Sequence, residues 1–85
     1  MYRLAYSKPA VRQLARMPRQ LAKRIRDRMV AVAGDPYAKH ANVRPLKGRE
    51  AFRLRVGDWR VIYEVRDEEL WVLVLTIGPR GQVYR

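Results

Sequence analysis

Two alternating runs meet at Gly57-Asp58, and they constrain the middle of the chain more than any other feature. Ala51–Val56 and Trp59–Val65 each switch between apolar and polar residues at the period of a strand with one buried face. A Gly-Asp step between two such runs is a hairpin-turn signal. With a tight turn, Val56 faces Trp59, Arg55 faces Arg60, Leu54 faces Val61 and Phe52 faces Tyr63. One face of the hairpin then carries Phe52, Leu54, Val56, Trp59, Val61, Tyr63 and Val65. The other carries Arg53, Arg55, Arg60, Ile62 and Glu64. A lone hairpin is marginal in water, so the apolar face needs a cover.

The N-terminal third supplies one. Tyr2, Leu4 and Tyr6 alternate like a short strand. Ser7 is placed to cap a helix with Pro9 in its first turn, and Ala10, Leu14 and Met17 follow at helical spacing. Pro18 ends that helix. A second helix is predicted from Arg19 to Ala33, with Leu21, Ile25, Met29 and Val32 as its apolar stripe and Gly34-Asp35-Pro36 as its stop. Residues 35–50 read as a loop, with His40 an exposed member of it. A last strand, Leu70–Ile77, follows a turn at Asp67-Glu68 and is apolar on both faces, as a central strand is; Gly78-Pro79 ends it. The expected fold is α+β, in the order βααβββ: two N-terminal helices on one face of a mostly antiparallel four-stranded sheet. No linker or repeat divides residues 1–85, so a single domain is expected.

Composition excludes several classes. The chain has 85 residues and no cysteine, so disulfide staples and thiolate metal sites are out of reach. One histidine cannot build a His-rich metal cage, and neither metal nor cofactor is expected. The longest apolar run, Leu70–Leu75, is far short of the roughly 20 residues of a membrane span. No leader is visible at the N-terminus, and a cytoplasmic location is expected. The charge points the other way, towards a partner. Nineteen Lys and Arg, mostly Arg, stand against eight Asp and Glu, a net charge of +11. Residues 1–30 carry a net charge of +8 and residues 31–62 of +4, while residues 63–85 are net −1. Such a surface suits a polyanion, and an acidic protein is the other natural partner.

The arginine-bearing face of the hairpin is the candidate chemical site. Arg53 and Arg55 lie two apart on one strand, and Arg60 falls opposite Arg55. Like charges placed directly across a sheet destabilise it. Either the side chains splay into water, or they grip phosphate. Arginine offers a planar fork of donors suited to phosphate oxygens.

The run from Arg53 to Tyr63, RLRVGDWRVIY, resembles the core signature of RelE/ParE-type toxins of toxin–antitoxin pairs. Tyr6-Ser7-Lys8-Pro9-Ala10, Leu46-Lys47-Gly48, and Ile77-Gly78-Pro79-Arg80 with Val83-Tyr84 extend the resemblance over almost the whole chain. It implies a RelE-like toxin: a metal-independent endoribonuclease that enters the ribosomal A site, cleaves the message there and so inhibits translation. It also implies a RelB-like antitoxin that silences the toxin, with operator DNA bound only through the antitoxin complex. Carried over by position, the active site falls on Arg53, Arg55, Arg60, Arg80 and Tyr84. Tyr84 is one candidate for proton transfer, with Glu64 or Lys47 as substitutes. Arg19, Lys23, Arg26 and Lys47 are candidate contacts to RNA or ribosome. Leu14, Met17 and the arginine face are candidate antitoxin contacts. Two other readings stay open: a ParE-like poison of DNA gyrase, and a non-catalytic basic binding module.

Overall fold

Ser7 organises the N-terminal end of the molecule. A computed structural model describes residues 1–47 and 50–79. In it, strand β1 (Arg3–Tyr6) leads through Ser7 into helix α1 (Lys8–Arg16). The Ser7 hydroxyl oxygen accepts from the Ala10 N–H at 3.2 Å, capping the helix, and its own proton goes to the Leu75 carbonyl at 2.6 Å. Pro18 then forces the break before helix α2 (Arg19–Gly34). The anticipated stripe is what α2 buries: Ile25, Met29 and Val32 are sealed, with Leu21 half-buried and Ala22 and Ala33 added alongside.

Strands β2 (Val43–Pro45), β3 (Ala51–Val56), β4 (Trp59–Arg66) and β5 (Trp71–Pro79) complete a five-stranded mixed sheet in the order β1-β5-β4-β3-β2. The β3–β4 register is the one that the Gly57-Asp58 turn dictates: Val56 opposite Trp59, Arg55 opposite Arg60, Leu54 opposite Val61, Phe52 opposite Tyr63. Gly57 holds φ +58°, a conformation that glycine adopts without steric cost. The Phe52 and Tyr63 rings stack with centroids 5.5 Å apart.

The four-stranded expectation is corrected in two respects. Residues 43–45 form a fifth strand on the β3 edge, where a proline is tolerated because no further strand needs its N–H. The outermost pairing on the other side, β1 with β5, is parallel, because two helices lie between β1 and the rest of the sheet and return the chain in the same sense. The last strand is also longer than expected. It runs through Gly78 to Pro79, and both lie opposite β4 residues.

A bulge in β5 sets which residues face where. Tyr63 pairs with Val74 and Ile62 with Thr76, so Leu75 is the extra residue, and its carbonyl receives the Ser7 hydroxyl. Past the bulge, Ile77 rather than Thr76 joins the core. The core lies between the helices and one sheet face: Ile25, Met29 and Val32 meet Leu54, Val61, Tyr63, Val72 and Val74. Met17 is buried with them, so it is unavailable to a partner; Val11 and Val30 are the apolar side chains that the helices expose. Among the described residues, no helix is long and apolar enough to cross a membrane.

One carboxylate ties three segments together. Asp67, in the β4–β5 turn, accepts from the Tyr2 hydroxyl at 2.7 Å and the Tyr37 hydroxyl at 2.6 Å. The two donors, Tyr37 first, hold the Asp67 carboxyl below its ordinary value of 3.8. The same bond pushes the Tyr37 phenol up to about 12. A depressed carboxyl stabilises the fold above its unfolded pKa, and that contribution disappears as pH falls through the folded one. Asp67→Asn should therefore be less stable than the parent at pH 7 in urea titrations. The gap should close in acid, below 3.8. A raised phenol acts on the other side: the Tyr37 contribution holds up to pH 10 and fades as pH approaches 12.

Candidate functional site: the open face of the sheet

The face of the sheet that the helices leave open carries the arginines. Cross-strand partners point to the same side, and residues on one strand alternate. Arg55 and Arg60 are therefore a same-face pair across β3–β4. Arg53 lies on that face two residues back, opposite Ile62 on β4 and Arg44 on β2. Four guanidinium groups on three adjacent strands share one surface. Arg44 was not anticipated. The only signal for it was Val43-Arg44-Pro45, an inward–outward step too short to read as a strand.

This surface has two ends of opposite character. The β3–β4 hairpin end holds Arg55 and Arg60, with Gly78 of β5 opposite Arg60. At the other end a hollow of about 490 Å³ is lined by Glu50, Glu64, Asp67, Glu68 and Glu69, five of the eight carboxylates in the chain. At the hairpin end positive charge is in excess, with Asp58 in the turn beside Arg55 and Arg60. Among the described residues, Arg44, Arg55 and Arg60 have no carboxylate partner. Arg53 is half-buried and its Nε is shielded from water. Ile62, set on the open face by the register, is nevertheless buried.

The other anticipated site residues are placed as follows. Arg80 and Tyr84 lie outside the described residues. Arg19, Lys23 and Arg26 are exposed on α2, in the layer that covers the opposite face of the sheet, and Lys23 is paired with Asp27 at 2.7 Å. Lys47 is exposed and follows β2 at the end of the sheet remote from the hairpin. Glu64 shares the open face but sits at its acidic end, engaged by Arg66 at 2.5 Å. His40, expected to be exposed, is half-buried, with Nε2 2.7 Å from the Asp35 carbonyl oxygen.

An arrangement like this can hold a polyanion. Two like-charged cross-strand pairs, Arg55–Arg60 and Arg44–Arg53, work against the sheet that carries them. Arg55→Thr should therefore stabilise the free protein, by about 0.2–1 kcal/mol in urea unfolding at low salt. The gain should shrink as added salt screens the parent's repulsion. An unchanged or lowered stability would mean that the guanidinium groups do not feel one another.

A family profile for the ParE toxin of type II toxin–antitoxin systems, parDE, matches residues 4–84. Among solved structures, the archaeal RelE–RelB complex from Pyrococcus horikoshii OT3 contains a chain with 28% identity and a TM-score of 0.82. The match covers 96% of this chain and 98% of that one. A chain of the intact Escherichia coli RelBE toxin–antitoxin complex matches with a TM-score of 0.82 at 21% identity, over 96% of this chain and all of that one. The isolated Escherichia coli RelE toxin matches with a TM-score of 0.80 at 24% identity, over 99% and 92% of the two chains. The likenesses below 25% identity speak for the fold, and the profile, spanning nearly every residue, speaks for the family. With its helix-backed sheet and its arginine-bearing open face, the chain belongs to the ParE toxin family of type II toxin–antitoxin systems, within the RelE/ParE superfamily.

Proposed function

We propose that this toxin is a ribosome-dependent endoribonuclease that cuts messenger RNA in the A site. The observation that carries the reading is the set of arginines that the strand register brings to the open face, with Arg55 and Arg60 directly opposite one another at its hairpin end. Cleavage of RNA by its own ribose needs positive charge around a phosphorus. The 2′-oxygen bonds to the adjacent phosphorus and the bond to the 5′-oxygen breaks, leaving a cyclic 2′,3′-phosphate and a free 5′-hydroxyl. Negative charge grows on the equatorial oxygens as this happens, and fixed donors aimed there lower the barrier. Arg55 and Arg60 would grip those oxygens, with Arg53 and Arg44 holding the flanking backbone. Arg80, which follows Pro79 in the chain, would add a further guanidinium group.

The two proton transfers need another group, because a guanidinium does not give up its proton in this pH range. Tyr84 is the proposed proton donor and acceptor. A phenol hydroxyl can both give up and take back a proton, which a guanidinium cannot do in this range. The proposed partners are the ribosome with its message and a RelB-like antitoxin, in keeping with the complexes that the structural relatives form. Operator DNA would be met only through the antitoxin complex. The site of action is then the cytoplasm.

A second reading, a gyrase poison, is favoured by one observation: the matching profile is that of the ParE toxin. One experiment separates the two. Induced expression should arrest growth, and primer extension should map cuts at set codon positions in translated messages. Intact messages beside broken chromosomal DNA would replace the ribonuclease with the gyrase poison.

A further inference from the structure

A second basic feature adjoins the arginine face. Where the loop between α2 and β2 meets the β2 edge, a hollow of about 510 Å³ opens, with Lys39, His40, Asn42, Arg44 and Arg55 in its walls. None of the residues lining it is acidic. Its size falls within the roughly 300–1,000 Å³ usual for small-molecule sites. Arg55 belongs to both features: it faces Arg60 across the hairpin and also lines the hollow. A phosphodiester chain crossing the arginine face therefore meets the hollow without leaving positive surface.

The outer wall is held in place from three directions. The Arg28 guanidinium donates to the Ala41 carbonyl. The Arg55 backbone N–H donates to the Asn42 carbonyl at 3.0 Å. The His40 Nε2 lies 2.7 Å from the Asp35 carbonyl oxygen. A carbonyl only accepts, so Nε2 carries a proton and Nδ1 is the ring nitrogen left for a ligand. Asn42 turns the chain with φ 63°, a left-handed conformation that asparagine tolerates. A wall braced in this way needs little ordering when a ligand arrives.

We propose that this hollow is a phosphodiester subsite for single-stranded RNA. It holds the backbone phosphate next to the one gripped by Arg55 and Arg60, with Lys39 and Arg44 as the charged contacts. His40 and the Asn42 amide supply hydrogen-bonding groups to the attached nucleotide. The subsite rests on the RNA-cleaving reading, and it specifies where the substrate runs: out over the β2 edge, away from the carboxylates at the far end of the sheet.

The chain's only histidine makes the test direct, because its ring nitrogens give one set of signals in a proton–nitrogen NMR spectrum. The full-length toxin is titrated with a 2′-O-methyl RNA hexamer, which cannot be cut by its own ribose. The hexamer should move the His40 ring signals at concentrations at least about tenfold below those needed by adenosine monophosphate. The double variant Lys39→Ala with Arg44→Gln should bind the hexamer about tenfold more weakly. Its slope of log affinity against log salt should fall by about 0.7, the value for one single-strand phosphate. Its melting temperature reports whether it folds, and the His40 signal needs no variant at all. A bound hexamer that leaves His40 unmoved, or a folded double variant with full affinity and slope, would overturn the subsite while leaving the ribonuclease standing. Equal response to the mononucleotide would overturn it as a polynucleotide site. A toxin that moves its His40 signal with RNA yet cuts no message on ribosomes would sink the ribonuclease and keep the subsite.

Discussion

Arg60→Ala should abolish growth arrest and lower message cleavage by about 10²–10³-fold, the usual cost of removing one fixed donor from a developing oxyanion. The fold should survive. Arg60 lies on the open face opposite Arg55, and neither packs into the core. Its loss relieves a like-charge pair, so melting should be unchanged or slightly higher. The loss should appear in the chemical step, with ribosome affinity falling far less. Arg60→Lys separates charge from geometry: if the planar fork is what holds the phosphate, lysine recovers only a small part of the activity. Toxicity that survives Arg60→Ala would remove the arginine face from the mechanism.

Leu54→Ala should fail for the opposite reason. Leu54 sits between Arg53 and Arg55 in sequence, but it points to the other side of the sheet and is sealed beneath the helices. Truncating a buried leucine costs about 2–5 kcal/mol. A chain of this size has only roughly 4–13 kcal/mol in total. Denaturation in urea should therefore shift to much lower concentration, and soluble toxin should fall in the cell. Whatever remains folded should cut with near-normal rate per molecule, because no group on the open face has changed. Arg60→Ala is thus expected to be stable and inactive, and Leu54→Ala unstable and active. The pair separates the chemistry of one sheet face from the packing of the other.

The hairpin was legible because its two strands alternate in phase and Gly57-Asp58 leaves one register. Three of the arginines on the open face follow from that alone. Arg44 did not, because β2 is three residues long, ends in proline, and has meaning only against β3. The parallel β1–β5 pairing was hidden for a related reason: it joins residues nearly seventy positions apart, and nothing in either strand marks its neighbour. In β5, apolar residues on both sides give a period of two no phase to lock onto. The bulge at Leu75 that turns Ile77 inward leaves no trace in the sequence beyond Ser7, whose hydroxyl it receives. His40 read as an exposed loop residue because its partner is a backbone carbonyl, which side-chain patterns never show. The Tyr2–Asp67–Tyr37 clamp joins three segments far apart in sequence and is invisible to any local rule.

Purified ribosomes programmed with a defined message test the central claim most directly. The parent toxin should cut the A-site codon within a single turnover, leaving a cyclic phosphate and a 5′-hydroxyl. The same RNA free of ribosomes should stay intact, and Arg60→Ala should leave both uncut. An intact message on ribosomes, or equal cutting by the parent and Arg60→Ala, would contradict it.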